Sequence, residues 1–354
     1  MSLETDFSNF EGKKLMVVGG AGFVGSNLVL KLLEQDPSEV TIVDNLLSSD
    51  IANVPDDPRV NFIFGSITDD EILRNLPEDL NYVWHLSCYH GNQSSIENPL
   101  ADHENNTLTS LKLFERIKDI SSIEKVVYAA AGCAVAEKTY GDASATTEDA
   151  PVSLYHDSPY SISKLIGELY GNYYFLQHKM PIVKARFQNV FGPREMLGAG
   201  RWRGTRHTVW RNVTPTFVWK SLNGEALGLD NGGQTSRDFI FVEDMARGLM
   251  CCAKNGDPGE IYNLASGQET TILELANTIN ELTGNDTPLI MQPAREWDRS
   301  GRRFGSTEKS LEKIGFKAEV NLAEGLEKTI AWTRQFQSTI ERCIRQHDYF
   351  MSKL

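Results

Sequence analysis

Lys14-Leu-Met-Val-Val-Gly-Gly-Ala-Gly-Phe-Val-Gly25 is the stretch on which the fold turns. An apolar run leads into glycines at three-residue intervals, Gly19, Gly22 and Gly25, followed by the apolar-rich segment Phe23–Leu33. The physical reading is strand, tight turn, helix. The first glycine permits a turn closed to side chains, the second lets backbone approach a pyrophosphate, and the third lets helix and strand pack closely. The helix N-terminus then offers unpaired N–H groups to the phosphates. A glycine triplet alone is weak, because any strand–helix turn favours glycine. The next apolar run, Glu39-Val-Thr-Ile-Val-Asp44, strengthens it: it ends in an acid 19 residues after Gly25, where a carboxylate can accept the adenosine ribose hydroxyls. An acid there repels a 2′-phosphate, so NAD is expected rather than NADP.

The chain around this stretch has 354 residues, which suggests about two domains. It has no run of 18 apolar residues, so no membrane span or membrane partner is expected. Its first residues, Met-Ser-Leu-Glu-Thr-Asp, lack the basic head and apolar body of a signal peptide. Five cysteines (88, 133, 251, 252 and 343) show neither metal nor disulfide spacing, so no metal is expected and a reducing cytoplasm is the simple reading. The formal net charge of −13 disfavours nucleic acid. It also makes arginines informative, because a polyanionic ligand must be met by placed cations.

Strand and helix patterns alternate through the first half. Val60–Phe64, Leu80–Ser87, Ser122–Ala131 and Pro181–Phe187 read as further strands. Asn98–Lys118 and Ser158–His178 read as long helices, the second opened by Ser-Pro. This order implies an α/β Rossmann fold: a doubly wound parallel sheet with a smaller, interleaved C-terminal α/β substrate domain. The expected boundaries are 1–193 and 237–266 for the NAD-binding domain, 194–236 and 267–335 for the substrate domain, and 336–354 for a helical tail on the surface or at a dimer contact. Residues 1–13 read as a polar leader.

Tyr160-Ser-Ile-Ser-Lys164 lies on the second long helix. The i, i+4 spacing puts phenol and ammonium on one face. A nearby cation favours phenolate, which prepares the tyrosine for acid/base work on a substrate hydroxyl. Such pairs also occur as plain helix-surface neighbours; the preceding dinucleotide turn is what raises this one above chance.

With these pieces together the chain resembles the extended short-chain dehydrogenase/reductase family, in its nucleotide-sugar epimerase/dehydratase branch. The resemblance rests on Gly19–Gly25, Asp44-Asn45, His85-Leu-Ser, Ser95-Ile-Glu-Asn-Pro99, Asn106-Thr-Leu-Thr, Tyr160–Lys164 and Arg186-Phe-Gln-Asn-Val-Phe-Gly-Pro193. Arg237-Asp-Phe-Ile-Phe-Val-Glu-Asp244, Tyr262-Asn-Leu-Ala-Ser-Gly267 and Arg295-Glu-Trp-Asp298 extend it over nearly the whole chain. It implies that Tyr160 and Lys164 are catalytic. It implies that NAD is held by Gly19, Gly22, Phe23, Val24, Asp44, Asn45, Leu86, Ser87, Tyr160 and Lys164. Asn106 and Phe187 would line the nicotinamide side, and Ser66 and Ile67 would approach the adenine. Asn189, Asn212 and Val213 would contact a nucleotide-diphosphate sugar. Arg237 and Arg295 would meet its pyrophosphate, and Asp298 a ribose hydroxyl. The arginine fork fits phosphate oxygens, although Arg237-Asp238 and Arg295/Asp298 would also serve as salt bridges.

Four departures from the family pattern stand out. Ser66 replaces the usual Asp, which puts the adenine contact in question. Ala131 stands at the end of the fifth strand, where the family carries Ser or Thr, and alanine has no side-chain hydrogen bond to give. Cys133, Tyr89, His90 or Gln93 are the residues at hand to fill that gap, with His90 expected near the sugar ring or simply as a structural loop histidine. Third, Gly132 and Cys133 occupy positions where dehydratases and decarboxylases of this branch place acids. Last, Met196–Arg211 is longer than usual and carries Arg201, Arg203, Arg206, His207 and Arg211 with Trp202 and Trp210. This segment reads either as a solvated loop or as a lid that recognises a uronate or amide group.

The resemblance therefore implies a cytoplasmic, homodimeric, NAD-dependent epimerase acting at C4 of a UDP-linked sugar for O-antigen or other surface polysaccharide synthesis. A dehydratase or reductase of the same family, and a catalytically silent binding relative, remain as alternatives.

Overall fold

In the computed structural model, residues 6–135, 139, 141–295 and 301–354 are described. The strands are β1 (Lys14–Val18), β2 (Glu39–Asp44), β3 (Val60–Phe64), β4 (Tyr82–His85), β5 (Lys125–Ala131), β6 (Ile182–Phe187), β7 (Asn189–Phe191), β8 (Gly228–Asp230), β9 (Ser236–Phe241), β10 (Ile261–Leu264), β11 (Glu269–Thr271) and β12 (Ile290–Gln292). Seven of them form a parallel sheet in the order β3-β2-β1-β4-β5-β6-β10. The order reverses between β1 and β4, and the crevice at the carboxyl ends of the strands there is where such sheets take ligands.

Alternation along the strands builds a core on each face. On β1, Leu15 and Val17 join Leu28, Val29 and Leu32 of helix Phe23–Leu33 and Met245 and Leu249 of helix Val242–Asn255. Met16 and Val18 face the other way, with Leu113, Phe114 and Tyr174. Each fully buried aliphatic side chain contributes about 1.5–3 kcal/mol. The expected polar leader is corrected at its end: Phe10 is fully buried and packs edge-on against Tyr82 at 4.9 Å.

The expected helix Asn98–Lys118 is helical with an insertion. Pro99–Asp102 runs into a π-helical turn, His103–Leu108, and then into the α-helix Thr109–Ile117. Side-chain hydroxyls take up carbonyls of the widened turn: Thr109 Oγ1 donates to Asn105 O at 2.8 Å and Ser110 Oγ to Asn106 O at 2.7 Å. π-turns of this kind are frequent at functional sites.

The smaller part interleaves with the first. A single residue, Gln188, separates β6 from β7, and β7 pairs with β9, which pairs with β11. β8 and β12 form a parallel pair. Phe191, Phe217, Leu229, Phe239, Leu275, Ile279, Leu326 and Ile330 close a third core. The tail forms helices Gln337–Arg345 and Asp348–Met351. Ile340 and Cys343 pack with Met196, Leu197 and Ala199 of the Arg-rich segment, and Trp202 stacks on Phe350 at 5.2 Å. Among the described residues no helix is long and apolar enough to cross a membrane.

Candidate active site

A cavity of about 810 Å³ opens at the carboxyl ends of β1, β2, β4, β5 and β6 and continues between the two parts. The glycine turn forms one end. Gly19 has φ +86°, and a Cβ there would meet Ser87 N at 2.6 Å, so the turn lies directly on the loop after β4. A Cβ on Gly25 would come within 2.1 Å of Gly19 O. The third glycine thus serves closure of the turn on itself. Gly22 caps helix Phe23–Leu33 without a side chain, leaving the first N–H groups of the helix toward the cavity. Phe23, Val24, Asp44, Asn45, Ser66, Ile67, Leu86 and Ser87 line the same end.

Asp44 braces that end. Its Oδ2 accepts from Ala21 N at 3.1 Å, and its Oδ1 accepts from Leu46 N at 2.9 Å and Ser49 Oγ at 3.1 Å. Burial raises its pKa while these hydrogen bonds oppose the rise. Ser66 Oγ is engaged with Thr68 Oγ1 at 2.8 Å. The turn that a side chain would block, the uncapped helix start and the braced carboxylate fit an adenine dinucleotide.

Tyr160 and Lys164 sit at the centre. Ser158 caps their helix, Pro159–His178, by accepting from Ser161 N, and Pro159 occupies its first turn. Close contact with the sheet is set by Gly167, where a Cβ would lie 2.0 Å from Tyr128 Oη of β5. Lys164 is buried; its Nζ donates to Ala129 O at 2.9 Å and lies 5.9 Å from the centre of the Tyr160 ring. The pull of this ammonium toward phenolate is outweighed, so the expected net lowering of the phenol's pKa does not hold. Burial, with Cys88 and Cys133 next, pushes Tyr160 well up. Beneath them His85 is held neutral, its pKa lowered to about 3 by burial and then by Lys164.

Asn106 does not line the cavity. From the π-turn its Oδ1 accepts from Tyr89 N at 2.7 Å, and its Nδ2 donates to Asp102 Oδ1 at 2.7 Å and Ser163 Oγ at 3.2 Å. It holds the loop after β4 to the Tyr160 helix from behind, and Asn105 and Thr109 are the neighbours that reach the cavity. Tyr89 is also buried, under the Arg203 guanidinium at 5.3 Å. His90 and Gln93 do line the cavity.

Ala129, Ala130 and Ala131 form an apolar wall, and Cys133 follows on a 3₁₀ turn, its sulfur accepting from Ser161 Oγ at 3.8 Å. Gln188, which the sequence reading missed, lies against this wall: a Cβ on Gly132 would meet its Nε2 at 2.4 Å. Its only signal in the sequence is a polar residue at the break between two strands.

The other end of the cavity is cationic despite the acidic chain. Asn189, Asn212, Val213, Arg237 and Arg295 line it, with Phe187 beside Ala131 on the way, joined by Arg206 of the Arg-rich segment and by Lys220 and Arg303, which the sequence did not single out. Arg237 Nη1 donates to Ser236 O and Gly301 O, both at 2.7 Å. Its neighbour Asp238 instead accepts from the backbone N–H groups of Ser266 and Gly267 at 2.8 and 3.0 Å. Arg295 pairs with Asp230 at 2.5 Å. Asp298 lies outside the described residues.

The Arg-rich segment is anchored rather than a free solvated loop. Arg211 donates to Ser48 O at 2.8 Å, Arg203 to His90 O at 2.9 Å and Arg201 to Asn45 O at 3.4 Å. These arginines clamp the segment to the loops after β2 and β4. Met196, Ala199, Arg206, His207, Trp210 and Arg211 of the segment line the cavity.

Known proteins with this arrangement give it a context. The family model described as NAD dependent epimerase/dehydratase family matches residues 15–265. The crystal structure of the Bordetella bronchiseptica enzyme WbmF in complex with NAD+ and UDP is 55% identical, with 98% of this chain and 99% of that one covered and a TM-score of 0.88. Epimerase Mth375 from Methanothermobacter thermautotrophicus is 37% identical over 95% of this chain and 96% of its own, with a TM-score of 0.86. A putative UDP-glucose 4-epimerase of Methanocaldococcus jannaschii is 29% identical, covering 92% of this chain and all of the relative. The chain belongs to the NAD dependent epimerase/dehydratase family.

Proposed function

We propose that the protein inverts C4 of a UDP-linked sugar. The observation that carries this reading is the wall beside Tyr160: Ala131 and Gly132 offer no acid, and Gln188 fills the space a side chain at 132 would need. Elimination of water needs an acid there; reversal of a hydride transfer does not. NAD, held between Gly19–Gly25 and Asp44, supplies the hydride acceptor and donor for the sugar carbon. Tyr160 takes the proton of the C4 hydroxyl and returns it to the ketone oxygen. Burial favours its phenol form, suited to protonating the ketone, and the Lys164 charge favours the phenolate needed in the other half. Arg237, Arg295 and Arg303 meet the diphosphate, together with the N-terminus of helix Val213–Leu222.

The substrate reading extends to the sugar. Arg206 and His207 are the groups placed to meet a carboxylate or amide at C6, as in a uronic acid derivative. Surface polysaccharide supply, such as O-antigen, is the expected setting on family resemblance. A homodimer is supported by the exposed stripe Ile162, Leu169, Tyr173 and Leu176 on the Tyr160 helix, with Leu100 exposed on the contacting helix Pro99–Asp102. Purified protein incubated with a panel of UDP-sugars, uronates included, and followed by proton NMR tests the reading. C4 epimers support it. A 4-keto-6-deoxy product points to a dehydratase, and binding with no turnover across the panel to a silent relative; either overturns it.

A further inference from the structure

Glu195, Asn212 and His90 come from three separate segments and meet in the cavity wall. His90 Nε2 lies 3.0 Å from Asn212 Oδ1, and Asn212 Nδ2 donates to Glu195 Oε1. Glu195 is buried, and its Oε2 has no hydrogen-bond partner among the described residues. The His90 ring stands edge-to-face against Tyr160, with centroids 5.7 Å apart. Its Nδ1 makes no hydrogen bond among the described residues, and His90 lines the cavity.

We propose that Glu195, acting through Asn212, sets which nitrogen of His90 carries the proton, and so decides whether His90 presents an acceptor or a donor to the sugar. The inference rests on the nucleotide-sugar reading for its ligand, although the chain itself is read from geometry. An ionised carboxylate can only accept, so it draws the Asn212 amide N–H₂ toward itself and turns Oδ1 to His90. His90 Nε2 must then donate, and Nδ1 is left as an acceptor suited to a sugar hydroxyl or amide N–H. A protonated Glu195 can donate to the amide oxygen instead. The amide turns over, its N–H₂ faces Nε2, and the proton moves to Nδ1, which becomes a donor.

Burial raises the Glu195 carboxyl to about 7, opposed by Asn212, His90 and Arg211, so both states are populated near neutral pH. The groups facing His90 are Asn212, Glu195, Arg203, Arg211 and Tyr160, and burial lowers its pKa. That lowering favours the neutral ring, in which the tautomer can change. Glu195 is a positioning residue in this scheme; His90 makes the contact.

Nitrogen-15 NMR of the histidine side chains in the NAD-loaded protein, from pH 5.5 to 8.5, reads the tautomer without any turnover. The expected result is a His90 signal passing from the Nδ1–H to the Nε2–H form with a midpoint near pH 7, and no such passage in Glu195→Gln. A His90 tautomer constant with pH in the wild-type protein, or an unchanged transition in the variant, overturns the proposal. On a sugar that is turned over, KM should change by about tenfold across this range in the wild type, the worth of one hydrogen bond, and stay flat in Glu195→Gln. Absence of turnover on every sugar would count against the proposed function and leave the NMR result to decide the chain.

Discussion

At the residue scale the proposed chemistry turns on Tyr160 and its surroundings. Tyr160→Phe keeps the ring and its contact with His90 and removes the proton-handling oxygen. Steady-state turnover should fall about 10²–10⁴-fold, with binding of the UDP-sugar changed much less. Glu195 gives a stability signature independent of catalysis. Its carboxyl is raised in the fold to about 7 from the ordinary value of 4.5. Its favourable contribution is therefore complete below about pH 4.5 and lost as pH rises through about 7. Relative to Glu195→Gln, wild-type stability from urea unfolding should decline over that window by at most about 3 kcal/mol and level off above it. That Gly19, Asp44, Tyr160 and Lys164 stand out was legible in the sequence because their spacing is local, and all four line the cavity. Glu195 and Gln188 were not, because each acquires its role from partners that only the fold brings near: His90 through Asn212, and Gly132. Asn106 shows the intermediate case: the motif marks the residue, but only the π-turn shows it working from behind the cavity wall.

At the scale of elements, strands and helices were readable from the apolar patterns, since most strands of the sheet are buried on both faces and read as short continuous apolar runs. The π-turn at His103–Leu108 escaped, because it is stabilised by hydroxyl-to-carbonyl bonds from Thr109 and Ser110 that leave no mark on hydrophobic periodicity. The seating of the Tyr160 helix is set by Gly167. In Gly167→Ala the new methyl collides with the Tyr128 hydroxyl, so helix or ring must shift. Thermal or denaturant unfolding should register a loss of about 1–3 kcal/mol. Activity measured under conditions where the variant is fully folded should also drop, because Lys164 and Tyr160 ride on the same helix. A variant as stable and as active as wild type would mean that the close approach is unimportant.

At the scale of the molecule, the interleaving was readable from the break in β/α alternation after Gly192-Pro193. How the tail packs was not. Its apolar spacing suits a surface or dimer helix equally, and the contact with Met196, Leu197 and Trp202 depends on a segment whose arginines looked like ligand groups. Those arginines donate to backbone carbonyls, so the segment ties the loops after β2 and β4 to the substrate side. The apolar stripe on the Tyr160 helix belongs to this scale too. Light scattering should give a dimer for the wild-type chain, and Leu169→Glu with Tyr173→Glu should shift it to monomer without loss of secondary structure. A wild-type monomer at micromolar concentration would remove the dimer from the account.

The central claim, that hydride leaves and returns to the same sugar carbon, is tested most directly with a UDP-sugar that the protein turns over, deuterated at C4. The expected product is the C4 epimer with the deuterium retained at C4 and no net accumulation of NADH. Deuterium appearing at C6 of a 4-keto-6-deoxy product, or washed out to solvent, would contradict it.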